Sequence, residues 1–347
     1  MGAEGSAPNP GPTPTLAART RGLRKTFRGT VAVDRLDLDV PEGSVLGMLG
    51  PNGSGKTTTI RMLLGLVSPT AGEVELLGER LPDGAARALP QIGALVEGPG
   101  FHPFLSGEDN LRRCAAAEPL LPTKSIGPAV AEALDRVGLV DARKRRYRAY
   151  SLGMKQRLGL AAALILPRQL VVLDEPTNGL DPAGTREIRQ VIADLHAAGT
   201  TVLVSSHLLS EVEATCTHVA VLHRGNVVAQ GELAPLLEAG SPTLIVSTPD
   251  TAEAVDALRD LRIAARSVAE GLLVDLAGTS APDVVEALVH AGVRVHEVRR
   301  QRADLEELFA RLTETETTSA AQVGAPVESA ESSESAESGE SDNLEAM

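Results

Sequence analysis

The alternation of apolar and polar residues predicts strands in the first two-thirds of the chain. Residues 35–40, RLDLDV, alternate as a half-buried strand does, and residues 44–50, SVLGMLG, form a short apolar run that leads directly into glycines. Two longer apolar runs end in polar residues, LVVLDEP at 170–176 and TTVLVSSH at 200–207, as buried parallel strands do. Residues 218–231 fit two short strands around an Arg-Gly-Asn turn. The pattern predicts an α/β domain.

Strand signals disappear between residues 98 and 151, and residues 127–139, GPAVAEALDRVGL, have a helical period. We therefore predict that the α/β domain covers residues 16–240 and carries a helical subdomain at about 98–155.

A second unit is predicted to begin after EAGSPT, near residue 240. Strand and helix patterns then follow in the order βαββαβα, which predicts a small α+β domain over residues 241–313. The segments are TLIVST, TAEAVDALRDL, two strands, APDVVEALVHAG, VRVHEV and ADLEELFARL. None of their residues suggests chemistry.

Charge is concentrated at one end of the 347-residue chain. Residues 314–347 carry nine acidic residues and no lysine or arginine, so removing them changes the net charge from −13 to −4. This tail has almost no large apolar residues, and the first 15 residues are rich in proline, so both segments are predicted to be disordered. The remaining charge offers no basic stripe, and we expect no nucleic-acid partner.

Several classes of protein are excluded by composition. The longest strongly apolar run, residues 158–167, is much shorter than the roughly 20 residues that span a bilayer. No signal peptide opens the sequence. Cys114 and Cys216 match no metal-site spacing and are too few for a disulfide framework, so a reducing cytosol is expected.

The strongest chemical motif follows the apolar run at 44–50. GPNGSGKTTT fits G-x-x-x-x-G-K-[ST], a glycine-rich loop whose backbone N–H groups cradle phosphates. Lys56 is expected to reach the β and γ phosphates, and the Thr57 hydroxyl to ligate Mg²⁺. The predicted ATP-binding residues of this loop are Gly50, Pro51, Asn52, Gly53, Ser54, Gly55, Lys56, Thr57 and Thr58.

Acidic residues end the next apolar strand. Asp174 is placed to hold the metal through water, and Glu175 to act as the general base on the attacking water. His207 ends the strand after that and could donate a hydrogen bond to the γ-phosphate. All three are expected at the carboxyl edge of one sheet.

These motifs, in this order, resemble the ATP-binding cassette (ABC) ATPases over roughly residues 16–235. The resemblance implies a P-loop NTPase fold: a RecA-like mixed sheet, an antiparallel edge and a helical subdomain. It also gives a meaning to YSLGMKQR at 150–157. In the family, a serine–glycine signature there binds the γ-phosphate held by a second copy. The implied trans contacts are Ser151, Gly153 and, in the GLDP loop, Asp181.

Two positions depart from the family pattern. The signature has Leu152, Gly153 and Met154 where a glycine and a glutamine are usual, so a side-chain amide is lost. Glu97 occupies the place of a glutamine that usually ligates Mg²⁺, and a carboxylate can also ligate that ion.

Phe27 falls where the family stacks an aromatic ring on adenine.

Both departures resemble the drug-, bacitracin- and lantibiotic-exporting branch. The resemblance implies an ATPase that works as a head-to-tail dimer with ATP and Mg²⁺ on the cytoplasmic face of the membrane. Its partner would be a separate six-helix permease of the ABC-2 type. The transported substrate cannot be deduced from this chain, because substrate contacts in this architecture lie in the permease.

Two other functions fit parts of the sequence. A soluble cassette acting on ribosomes or DNA usually has two cassettes, coiled coils or zinc cysteines, which this sequence lacks. A P-loop kinase or switch GTPase would have no use for YSLGMKQR or GLDP.

The basic run RKRRYR at 143–148 fits a solvated surface as well as an anionic ligand. Residues 241–313 resemble a region that follows the cassette in several drug-exporter ATPases, where contact with a partner is the favoured role.

Overall fold

The computed structural model describes residues 15–96, 100–239, 243–268, 270–276, 279–301, 305–306 and 308–309. Within them the strands are β1 (Leu16–Phe27), β2 (Thr30–Pro41), β3 (Val45–Leu49), β4 (Ala71–Leu76), β5 (Glu79–Arg80), β6 (Ile92–Leu95), β7 (Leu170–Asp174), β8 (Thr201–Ser206), β9 (His218–His223), β10 (Asn226–Glu232), β11 (Thr243–Ser247), β12 (Ala265–Val268), β13 (Gly271–Asp275) and β14 (Glu297–Arg300). The two predicted tails lie almost wholly outside these ranges.

Helices connect and cover the strands. They are α1 (Lys56–Leu63), α2 (Ala85–Ala88), α3 (Gly107–Ala116), α4 (Ile126–Arg136), α5 (Leu152–Ala163), α6 (Pro182–Ala197), α7 (Leu209–Thr215), α8 (Leu233–Ala239), α9 (Thr251–Asp260) and α10 (Ala281–His290). Short 3₁₀ turns cover Leu89–Gln91, Thr123–Ser125 and Tyr147–Ala149. In the described part of the chain, no helix is both long and apolar enough to cross a bilayer.

A six-stranded mixed sheet organises the first domain, in the order β10-β9-β3-β8-β7-β6. Its five strands from β9 to β6 are parallel, and β10 pairs with β9 as the predicted hairpin. All five residues of β3 and all six of β8 are buried, which explains their continuous apolar runs. The predicted P-loop NTPase fold is confirmed.

A second, antiparallel sheet in the order β2-β1-β4-β5 covers one face of the mixed sheet. Apolar residues of the two sheets and of α1 pack into one core, in which Leu38, Met48 and Ile60 are fully buried. On the other face, α3, α4, α5 and α6 form a second core with the mixed sheet, with Leu111, Leu134 and Leu158 at its centre. The central strands are thus buried on both faces.

Residues 243–301 form a four-stranded antiparallel sheet, β12-β13-β11-β14, packed with α9 and α10 around its own core. The chain then returns to the first domain. Leu305 and Leu308 are buried against Val212 and Val219, and Glu213 in α7 accepts a hydrogen bond from the Leu305 backbone N–H at 2.6 Å.

One predicted strand begins later than expected. VRVHEV at 293–298 alternates like a strand, but β14 starts at Glu297. Arg294 instead binds Asp250 in the loop before α9: its backbone N–H donates to Oδ2 at 3.0 Å, and its guanidinium donates to both carboxylate oxygens at 2.9 and 2.5 Å. Two residues later, the His296 N–H already donates to the Ser247 carbonyl oxygen of β11 at 2.9 Å, and the regular pairing of β14 begins at Glu297.

The Asp250–Arg294 contact predicts a pH-dependent stability. The side-chain hydrogen bonds from Arg294, followed by its backbone N–H, lower the pKa of Asp250 to about 2, below the unfolded value of about 3.9. The contact therefore stabilises the fold at neutral pH, and its contribution is lost as the pH falls from about 4 through about 2.

We expect Asp250→Asn to lower the melting temperature at pH 7, and the difference from wild type to shrink as the pH falls below about 4. The matched control is Asp256→Asn, which removes the carboxylate of an exposed ion pair in the same unit, Asp256–Arg259, and should change little. Thermal melts by circular dichroism between pH 2.5 and pH 7 measure this. A constant difference over that range would contradict the assignment.

Candidate functional site

The loop between β3 and α1 is shaped for close approach of a ligand to its backbone. Gly53 and Gly55 have φ angles of +84° and +101°, which glycine adopts without strain. A Cβ on Gly50 would lie 2.4 Å from the Leu222 carbonyl oxygen, so this position has no room for a side chain. The loop ends at the N-terminus of α1, where free N–H groups and the helix dipole favour an anion.

Lys56 begins α1 and bends back over the loop. Its side chain is only 5% exposed, and Nζ donates to the carbonyl oxygens of Gly50 at 2.6 Å and Pro51 at 3.3 Å. Nζ also lies 3.5 Å from Glu175 Oε1. The Lys56 ammonium group therefore lies between the carbonyl oxygens of this loop and the Glu175 carboxylate.

The strand register brings the acidic residues to this loop. Asp174 at the end of β7 pairs with Ser205 in β8, and Leu49 at the end of β3 pairs with Ser206. Asp174 Oδ1 accepts hydrogen bonds from the Ser205 hydroxyl at 2.6 Å and from the Thr57 hydroxyl at 3.2 Å. The motifs, more than a hundred residues apart in sequence, therefore meet at one edge of the sheet.

Glu175 lies between two nitrogen groups. Oε1 faces Lys56 Nζ, and Oε2 lies 2.7 Å from Nδ1 of His207. The Glu175 backbone has a φ of +47°, a conformation that costs a non-glycine residue about 1–3 kcal/mol and is typical of functional sites. Its N–H is held by the buried Ser205 hydroxyl at 2.9 Å. Lys56, Asp174, Glu175 and His207 form one connected group.

A cavity of about 500 Å³ opens at the opposite edge of the same sheet, lined in part by Gln169, Leu195 and Thr201. It includes none of the predicted site residues. In parallel α/β sheets the ligand site lies at the carboxyl ends of the strands, so the site at the P-loop edge is the candidate.

Comparison with known proteins identifies the family. Residues 33–178 match the family model described as ABC transporter. The chain is 38% identical over 294 residues to the uncharacterized ABC transporter ATP-binding protein YhcH of Bacillus subtilis, covering 84% of this chain and 94% of that protein.

The chain belongs to the ATP-binding proteins of ABC transporters. It is therefore an ATP-binding protein and an ATPase of this family. It is also 43% identical over 217 residues to the bacitracin transport ATP-binding protein BcrA of Bacillus licheniformis, covering 61% of this chain and 68% of that protein. The fold matches an ATP-binding cassette solved as a dimer with ADP and phosphate, with a TM-score of 0.57 and 23% identity over 62% of this chain and 98% of that one.

The residues predicted to contact a second copy of this ABC ATPase lie at the beginnings of α5 and α6. Ser151 caps α5, and its exposed hydroxyl accepts the Met154 N–H at 3.2 Å. Gly153 lies beside Leu180, whose Cδ2 is 3.8 Å from the position a Cβ on Gly153 would take. Asp181 caps α6 by accepting the Gly184 N–H at 2.8 Å. The signature and the GLDP loop are therefore neighbours within one chain.

Phe27 and Glu97 are the two remaining predicted residues of the cassette. Phe27 ends β1, is 44% exposed, and has the Lys25 ammonium 4.9 Å from its ring centroid. It pairs with Thr30, two residues before Ala32, whose carbonyl oxygen lies 2.9 Å from the position a Cβ on Gly55 would take. Glu97 lies outside the described residues.

Sequence reasoning missed a group of side chains behind the site of this ATPase. Ser205 joins Asp174 to the Glu175 backbone, as described above. Glu211 in α7 accepts hydrogen bonds from the hydroxyls of Thr177 at 2.6 Å and Ser206 at 3.0 Å. Serine, threonine and a helical glutamate carry no motif by themselves, so only the fold could reveal them.

Proposed function

We propose that this protein hydrolyses Mg-ATP at the P-loop edge of its sheet to power export through a separate permease. The observation that carries this proposal is the convergence of Lys56, Asp174, Glu175 and His207 within hydrogen-bond or ion-pair distance of their neighbours. The role proposed for each of these four residues follows from its side-chain type and from its position around the P-loop.

The P-loop residues are proposed to bind the phosphates of ATP. Gly53, Gly55 and the first turn of α1 offer backbone N–H groups to the phosphate oxygens. Lys56 now donates to two loop carbonyls, and exchanging them for phosphate oxygens would place its charge on the β and γ phosphates. Phe27, exposed at the end of β1, is proposed to stack on adenine.

The site also fits a magnesium ion. A hydroxyl and a carboxylate are the hard oxygen ligands that Mg²⁺ prefers, and Thr57 Oγ1 lies 3.2 Å from Asp174 Oδ1. Among the described residues no cluster of three His, Cys, Asp or Glu could hold a metal alone. This agrees with an ion that is shared with phosphates, whose charge it would neutralise. Glu97 is a proposed further ligand.

Glu175 is proposed as the general base. Its carboxylate, 3.5 Å from Lys56 Nζ, would accept the proton of the attacking water. His207 orients the carboxylate through Nδ1. With Nδ1 donating to Glu175, Nε2 can also donate to the γ-phosphate only in the doubly protonated ring. In this arrangement the histidine would connect the base to the phosphate it helps to remove.

We expect Glu175→Gln to reduce ATP turnover by about 100-fold or more and to leave ATP binding within about threefold of wild type. The amide cannot accept the proton, but it preserves the shape of the side chain. Phosphate release and binding of a fluorescent ATP analogue measure the two properties. Glu132→Gln, which changes an exposed helix glutamate, is the control. Wild-type turnover in Glu175→Gln would refute the assignment of the base.

A second copy is proposed to complete each ATP site. Ser151, Gly153 and Asp181 lie at the neighbouring N-termini of α5 and α6, and Ser151 is exposed at the N-terminus of α5, where an anion is favoured. In a head-to-tail dimer these residues would meet the γ-phosphate held by the other copy's P-loop.

The mass of Glu175→Gln protein measured by light scattering should double when Mg-ATP is added, because ATP is then held between two copies without being hydrolysed. Adding Ser151→Glu to this variant should keep it monomeric through repulsion between carboxylate and phosphate. Ala149→Glu introduces the same charge at an exposed position outside the helix cap and should not prevent the doubling. A monomer that binds ATP in the Glu175→Gln protein would contradict a dimer closed by these residues alone.

The transport role follows from the relatives. BcrA is named for bacitracin transport, so we propose that this ATPase binds an ABC-2-type permease at the cytoplasmic face of the membrane and drives export of peptide antibiotics. The separate C-terminal unit, residues 241–313, is proposed to contact a partner.

We expect co-expression of this protein with its proposed permease partner to raise the bacitracin concentration that a sensitive bacterium tolerates. Glu175→Gln with the same permease should give no protection, because export would lack its energy source. Growth in a bacitracin dilution series measures this, with the permease alone as a second control. Equal protection by the two proteins would contradict ATP-driven export, and protection by neither would contradict this substrate class.

A further inference from the structure

Glu211 lies behind the proposed catalytic pair and belongs to no motif found in the sequence. It is in the first turn of α7, four residues after His207. Its carboxylate oxygen Oε2 accepts two hydrogen bonds, from Thr177 Oγ1 at 2.6 Å and from Ser206 Oγ at 3.0 Å. One donor follows Glu175 by two residues, and the other directly precedes His207.

These bonds close a ring around the Glu175–His207 pair. On one side, the Ser205 hydroxyl binds Asp174 and the Glu175 N–H at 2.6 and 2.9 Å. On the other side, Glu211 joins the segment after Glu175 to the segment before His207. The Ser206 hydroxyl also accepts the Leu208 N–H at 3.0 Å, so the backbone on both sides of His207 is restrained.

Glu175 and His207 need such a restraint because neither residue belongs to a helix or a strand. Glu175 follows the last residue of β7 with a positive φ, and His207 follows the last residue of β8 with 34% of its side chain exposed. The strand pairing ends at Asp174 and Ser205. Beyond that point, the described hydrogen bonds that join the two segments are the Ser205 contact, the Glu175–His207 contact and the two made by Glu211.

The residues around Glu211 favour a carboxylate that stays in one position. It lines a cavity of about 20 Å³ together with Val212, Cys216 and Arg189. Burial first, and then the negative charge of Glu211, raise the pKa of the Cys216 thiol to about 12, so that thiol stays protonated and offers no competing charge. Arg189 provides a cation on the same cavity wall.

We propose that Glu211 is a positioning residue that holds Glu175 and His207 at hydrogen-bond distance. It does not touch the nucleotide; it acts through Thr177 and Ser206. The inference rests on the proposed roles of Glu175 and His207. It predicts that losing Glu211 slows turnover without weakening ATP binding, because the P-loop contacts are unchanged.

Glu211→Ala should lower kcat by about 10- to 100-fold, the scale expected for a small misplacement of catalytic groups, with KM and ATP affinity within about threefold of wild type. Glu211→Gln keeps one oxygen that can accept both hydroxyl hydrogen bonds and should recover most of the rate. Glu213→Gln makes the same chemical change on the same helix, at a residue bound to Leu305, and should leave kcat unchanged.

A double-mutant cycle tests the route. Thr177→Val removes one of the two hydroxyl donors and should also lower kcat, and Glu211→Ala combined with Thr177→Val should cost much less than the product of the two single effects. Independent, multiplying effects would overturn the proposed coupling. So would a kcat for Glu211→Ala within twofold of wild type, or a loss of rate matched by an equal loss of ATP affinity.

A spectroscopic measurement separates this inference from the proposed function. In protein labelled with ¹⁵N-histidine, the His207 Nδ1 signal, assigned by its loss in His207→Gln, reports the hydrogen bond to Glu175. Glu211→Ala should shift that signal, and Glu213→Gln should not. An unshifted signal would overturn the positioning role even if Glu175 is the base. A shifted signal with full turnover in Glu175→Gln would instead show that the proposed base is wrong.

Discussion

The parallel pairing of β3, β8 and β7 is the constraint on which the site depends. The register sets Leu49 beside Ser206 and Asp174 beside Ser205, so three loops leave the sheet at the same height. These strands are buried on both faces, and a shift of register by one residue would turn buried side chains towards the opposite layer. The packing that stabilises the domain thereby also sets the distances between Lys56, Asp174 and Glu175.

Charge at this edge is balanced by close contacts. Lys56 is almost fully buried, and an ammonium group there needs partners to offset the loss of water; it has two carbonyl oxygens and Glu175. Glu175 in turn has His207. Each group thus depends on its neighbours, and the ring closed by Ser205 and Glu211 restrains the backbone that carries them.

The contacts proposed for a second copy lie elsewhere on the chain. Ser151 and Asp181 each satisfy the N-terminus of a helix within the monomer, and this capping fixes the direction of α5 and α6. Residues that stabilise two helices can in this way also present polar groups to a partner. The local stability of the signature and its proposed role in the dimer therefore require the same backbone geometry.

The sequence by itself determined the parallel strands, the P-loop and the acidic residues after β7, because burial on both faces and phosphate binding each impose a local pattern. It did not indicate β1 and β4, whose pairing is interrupted by bulges, and it started β14 at Val293, earlier than the Glu297 at which the strand begins. Only the tertiary structure decided that Ser205 and Glu211 support the pair. Their effect depends on hydroxyl and carboxylate groups from three separate elements, and no spacing along one segment encodes such a meeting.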